Sequence, residues 1–156
     1  MPSYAHEVLI EMFRDRPDLV ADLLAGPLGV TVPAFHKAQV SAADLTDVVP
    51  TEFRADTVVT LNMADEPVLA VVVEVQLNRD VRKRRTWPVY VATIFARHEC
   101  PAMLLVVCPN PAVAAWCAEP IVMGHPDLVL APIVLGPRQI PVITDVTQAR
   151  RRPELT

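Results

Sequence analysis

Val68-Leu69-Ala70-Val71-Val72-Val73-Glu74-Val75-Gln76-Leu77 is the stretch on which the fold turns. It is nearly continuous, β-branched and apolar, the pattern of a strand buried on both faces. Upstream, Thr51 to Asn62 alternates through Phe53, Val58, Val59 and Leu61 and reads as a second strand. Met63-Ala64-Asp65-Glu66-Pro67 between them reads as a turn, so the two strands form a hairpin. Downstream, a charged run, Arg79-Asp80-Val81-Arg82-Lys83-Arg84-Arg85, leads through Thr86-Trp87-Pro88 into a helix ending near His98. Pro88 either sits in that helix's first turn with Thr86 as cap, or interrupts a longer helix beginning near Asp80. Met103 to Cys108 reads as another strand, Pro111 to Ala118 as a short helix, and Val129 to Leu135 as a last core strand. Ile140 to Thr144 is a candidate for one more.

Two helices open the chain. Val8, Leu9, Met12 and Phe13 recur at helical spacing after Ser3, and Arg16-Pro17-Asp18 interrupts them. The second helix carries Leu19, Val20, Leu23 and Leu24 and stops at Gly26-Pro27. Residues 29–50 read as loop, with room for one short strand. The order α-α-β-β-α-β-α-β specifies an α/β fold: a mixed central sheet flanked by helices, with a parallel crossover carried by the helix after Leu77.

Length and composition bound the function. A chain of 156 residues is expected to form a single domain, 1–156. A mean hydropathy of +0.31 excludes disorder over most of the length. No apolar run reaches the ~18 residues that a membrane span needs. With only 4 glycines against 16 prolines, neither a dinucleotide fingerprint nor a Walker loop can be assembled. The net charge of −4 argues against a protein coated in positive charge for DNA. No signal-peptide pattern opens the sequence, which makes the cytoplasm the default location. Cys100, Cys108 and Cys117 lie in apolar surroundings without Cys-x-x-Cys or His-x-x-x-His spacing, so they read as buried thiols rather than zinc ligands. His98-Glu99-Cys100 hints at a deaminase, but no Pro-Cys-x-x-Cys follows it.

The chemistry is suggested by polar groups set where the sheet should be driest. Glu74 and Gln76 flank Val75 and point to one face of their strand. An ionised carboxylate buried there costs several kcal/mol unless it is paired or coordinates a cation. A plain structural alternative is an ion pair between Glu74 and an arginine at the sheet edge. Asp56, on the preceding strand, is the second carboxylate. Adjacent strands run about 4.8 Å apart, so a suitable register would bring both acids to one ion. Two carboxylates and a main-chain carbonyl make a hard oxygen site suited to Mg²⁺.

Asp56, a turn, and an apolar strand ending in Glu74-Val75-Gln76 resemble the core of the PD-(D/E)XK nucleases. The likeness is to the branch of Rpn-type recombination-promoting nucleases and transposase-like bacterial proteins, in an actinobacterial-like form. His6-Glu7, Arg54-Ala55-Asp56, Glu74-Val75-Gln76-Leu77 and Trp87-Pro88-Val89-Tyr90 extend it over most of the chain. The resemblance implies a restriction-endonuclease-like αβββαβ core and a Mg²⁺-dependent (or Mn²⁺-dependent) deoxyribonuclease. Asp56, Glu74 and the main-chain carbonyl of Val75 would be the metal ligands, and Glu7 an accessory acid acting through water. Gln76 stands in the slot where most of the superfamily has lysine. A neutral amide orients water but supplies no charge, so Lys83, sharing a helix face with Trp87 and Tyr90 if the longer helix forms, is the candidate substitute. It further implies that the helical C-terminal extension of relatives is absent. DNA is the expected partner and a membrane is not; a homodimer is the assembly left open.

In that setting Arg79, Arg82, Lys83, Arg84 and Arg85 are candidates for neutralising phosphates, against a simpler reading as a solvated connection. Trp87 and Tyr90 are either stacking platforms for a base or core. Arg150-Arg151-Arg152 reads as a frayed tail. The rival to an enzyme is a catalytically decayed nuclease fold acting as a nucleic-acid-binding or protein-interaction module.

Overall fold

The computed structural model describes residues 3–43, 45 and 54–138. The chain divides into two compact units, Met1–Asp47 and Val48–Thr156. In the first unit α1 spans Tyr4–Asp15, and Ser3 caps it by accepting a 3.2 Å hydrogen bond from the His6 N–H. Pro17 disfavours helical backbone at Arg16 and ends it there. Helix α2 spans Leu19–Ala25 and closes at Gly26, where an added Cβ would lie 2.9 Å from the Asp22 carbonyl. Neither helix buries a residue.

The second unit is α/β. Strands β1 (Thr57–Met63) and β2 (Glu66–Val75) form the expected antiparallel hairpin around a turn at Ala64 and Asp65, with Ala64 at φ 54°. Helix α3 (Lys83–His98) carries the chain across to β3 (Ala102–Val107), parallel to β2. Helix α4 (Pro111–Ala118) follows, then β4 (Ile121–Val122), β5 (Val129–Leu130) and β6 (Ile133–Leu135). The main sheet has the order β1-β2-β3-β6, and β4 pairs with β5 in a separate ribbon. Two described strands therefore precede the crossover helix.

Alternation in β2 and β3 builds the core. Ala70, Val72, Leu104, Val106 and Cys108 point to one face and pack with Trp87, Tyr90 and Ile94 of α3 and Val113, Ala114 and Cys117 of α4. Glu74 and Gln76 lie on that same buried face.

The structure corrects the sequence reading in two places and decides a third. β2 is buried on one face, not two: Val71 and Val73 are half-buried and Val75 is 53% exposed, because both helices of the unit pack on the opposite side. Val129 to Leu135 is two strands, not one. Pro132 has no N–H to give a ladder, so the chain leaves β4 there and rejoins the main sheet beside β3. Of the two starts left open for α3, the structure takes the longer helix: Pro88 lies inside it, Thr86 does not cap it, and it begins at Lys83. The candidate strand at 140–144 falls outside the described residues. Among the described residues no helix is long and apolar enough to cross a membrane.

Candidate active site

The site forms where the β1–β2 ladder runs out. Thr57 pairs with Val73, and one further step of that register sets Asp56 across from Glu74. There the side chains take over from the main chain. The Asp56 N–H donates to Glu74 Oε2 at 2.9 Å, and the Val75 N–H donates to Asp56 Oδ2 at 2.8 Å. Each carboxylate thus clamps the backbone of the opposite strand. The acids are not equivalent, since Asp56 is exposed whereas Glu74 is 1% exposed.

Helix α3 supplies the compensating charge. Lys83, Trp87 and Tyr90 recur at i, i+4 and i+7 and share one helix face. Lys83 Nζ lies 2.9 Å from Glu74 Oε1, and the Trp87 indole N–H donates to the same oxygen at 3.2 Å. The ammonium also sits 5.7 Å from the centre of the Tyr90 ring. Burial pulls the Lys83 pKa down, but the hydrogen bond and charge of Glu74, with smaller help from Tyr90 and Asp56, outweigh it and hold the group above its ordinary 10.5. The network joins two carboxylates to one ammonium and keeps a residual negative charge.

The other candidates fall into distinct places. Gln76 is buried, and its amide is engaged: Nε2 donates to the Asn78 carbonyl at 2.6 Å. Glu7 is exposed on α1 of the first unit, 3.5 Å from His6 Nδ1. Asp80 pairs with Arg82 at 3.3 Å, and hydrogen bonds from Arg82 hold its carboxyl below the usual range. Arg84 donates to the Pro120 carbonyl at 2.7 Å and lies 5.8 Å from the Trp116 ring centre. Arg79 and Arg85 are exposed. Trp87 and Tyr90 are core, at 0% and 5% exposure. All three cysteines are buried free thiols, and burial together with neighbouring Cys108 pushes Cys117 up to about 11.

No family model matches the chain, and no curated protein or solved structure does. The residues themselves must therefore answer whether a hard cation fits. The donor set is all oxygen, and Asp56 Oδ1 accepts no hydrogen bond among the described residues. Those residues hold no group of three or more His, Cys, Asp or Glu placed around a common point. Two carboxylates and a carbonyl suit an ion that keeps most of its waters, which is the habit of Mg²⁺ rather than of zinc.

Sequence reasoning reached Asp56, Glu74 and, conditionally, Lys83. It missed the indole of Trp87 as a hydrogen-bond partner of Glu74, because spacing shows that a tryptophan shares a face but not where its N–H ends.

Proposed function

We propose that this chain is a Mg²⁺-dependent phosphodiesterase of the endonuclease type, nicking or cutting DNA. The observation that carries the reading is the meeting of Asp56, Glu74 and Lys83 at the end of the hairpin, with Lys83 Nζ 2.9 Å from Glu74. Asp56 and Glu74 would hold the cation with the Val75 carbonyl. When bound, Mg²⁺ supplies an activated water and neutralises charge on a phosphate oxygen. Lys83 brings the fixed positive charge that Gln76 cannot, positioned by Glu74 rather than by its own strand. Gln76 secures the chain after β2 through Asn78, leaving its carbonyl oxygen to orient water. Arg79 and Arg85 add exposed charge along the connection that leaves this strand.

Incubation with supercoiled plasmid and Mg²⁺ tests the reading. The unaltered chain is expected to nick, Asp56→Ala to abolish nicking, and Lys83→Ala to slow it by roughly a hundredfold or more. No nicking above the Asp56→Ala background overturns the assignment. Full activity in Lys83→Ala removes the lysine from it.

One observation favours the decayed, non-catalytic module instead: the protein's own donors, Lys83, Trp87 and the Asp56 N–H, already engage Glu74. Calorimetry with millimolar Mg²⁺ or Mn²⁺ separates the two readings. Binding heat that disappears in Asp56→Ala supports the enzyme, and its absence in the unaltered chain supports the module.

A further inference from the structure

Beside the carboxylates lies a cleft that the basic run after β2 does not touch. It has a volume of about 520 Å³ and opens between the β1 edge of the sheet and α3. That is within the ~300–1,000 Å³ range of sites that enclose a small ligand. Val72, Ile94 and Tyr90 give it an apolar floor, and Arg54 and Arg97 are among its lining residues. Among the described residues no acidic side chain lines it. Both arginines are exposed, and neither pairs with a carboxylate among the described residues.

Tyr90 joins this cleft to the candidate active site. Its hydroxyl donates to the Arg54 carbonyl at 3.2 Å, and its ring lies beneath the Lys83 ammonium. Arg54 is also two residues from Asp56, so one short segment carries both a cleft wall and a candidate metal ligand. Two arginines and an apolar floor in one lining match one class of ligand: a phosphate held by charge, with a flat, weakly polar ring or sugar beside it. A volume of about 520 Å³ has room for a single nucleotide unit.

We infer that the Arg54–Arg97 cleft is a subsite for one nucleotide of a single-stranded DNA segment, adjoining the candidate metal site. The inference rests on the proposed function for its meaning, but binding alone can be measured without cleavage. In EDTA, a fluorescein-labelled single-stranded oligonucleotide is titrated with the full chain at several salt concentrations and followed by anisotropy. Arg54→Ala/Arg97→Ala is expected to weaken binding by about tenfold or more and to lower the salt slope by roughly 0.7, the share of one phosphate contact on a single strand. Arg16→Ala/Lys37→Ala, which removes the same charge from the first unit, is expected to leave both quantities near those of the unaltered chain. Equal losses in the two variants, unchanged binding in Arg54→Ala/Arg97→Ala, or no binding by the unaltered chain overturns the subsite. Circular dichroism of each variant confirms that the fold is intact. Specific binding without plasmid nicking would keep the subsite while the nuclease reading fails; nicking with the cleft variant binding normally would do the reverse.

Discussion

At Glu74 a charged group has lost nearly all of its water and is held by one ammonium, one indole and one backbone N–H. The two ways of breaking that arrangement are not symmetrical. Lys83→Met leaves an anion buried without its cation and is expected to cost about 3 kcal/mol, the low end for such a loss because a quarter of the Lys83 side chain stays in water. Glu74→Gln keeps the shape and an acceptor oxygen, frees a lysine that can reach solvent, and is expected to cost about 1 kcal/mol. In the double variant the coupling should recover about 1–2 kcal/mol of the summed costs. Urea unfolding of all four proteins measures this cycle, and strictly additive costs would contradict the pair. The same pair has a pH signature. Because the Lys83 pKa is raised in the folded chain, the native state holds a proton that the unfolded state loses above 10.5. Its stabilisation is complete below that pH and disappears as pH climbs through the raised value. Alkaline unfolding series of the unaltered chain and Lys83→Met should therefore converge above pH 10.5 and run parallel below it. Glu74 was legible in the sequence because an ionisable group in an apolar strand must be explained. Trp87 was not, since its burial is ordinary and only its N–H is informative.

Whole elements follow the sequence wherever one strong local cause acts. Helix α4 is such a case: Asn110 is extended, its Oδ1 accepts from the Ala112 and Val113 N–H groups at 2.9 and 3.1 Å, and Pro111 takes the first helical position. Asn110→Ala is expected to cost about 1 kcal/mol, whereas Asn110→Asp retains the cap, places a negative charge at the helix start, and should fall within a few tenths of the unaltered chain. Thermal unfolding distinguishes them, and an Asp variant as weak as the Ala variant would refute the capping role. Element boundaries were harder to read where two causes compete. A proline inside a helix costs about 3 kcal/mol, which argued for starting α3 after Thr86. Burial of Trp87, Tyr90 and Ile94 on one face contributes roughly 2 kcal/mol apiece, which is more, and the helix runs through Pro88. At Pro132 the balance goes the other way. An apolar run records burial but not which ladder each N–H must serve, so the break between β5 and β6 was invisible until the strand partners were known.

Across the whole molecule the apolar residues are unevenly used. The buried core lies in the second unit, on one face of its sheet, while Val59, Leu61, Met103 and Ile133 on the other face remain about half exposed. The composition, 52% hydrophobic, announced a chain able to bury a core but not where that core would stop. The first unit shows the same limit. Its helices have clear apolar positions, yet Val8, Leu9, Met12 and Val20 are exposed, and Phe13 and Leu24 line an open hollow of about 610 Å³ rather than a closed core. Helices of twelve and seven residues are at or below the ~12–15 residues under which isolated helices are marginal in water, so helical propensity alone does not hold them. Apolar burial has to do so, and this segment buries little among its own residues. A synthetic peptide of residues 1–47 is therefore expected to show only a small fraction of the helix that α1 and α2 represent, and to gain it in trifluoroethanol without a cooperative thermal transition. Far-UV circular dichroism decides the point. A peptide with full helicity and a sigmoidal melt in plain buffer would mean that the first unit is a self-sufficient fold, and that the exposure of its apolar positions does not reflect how it is stabilised.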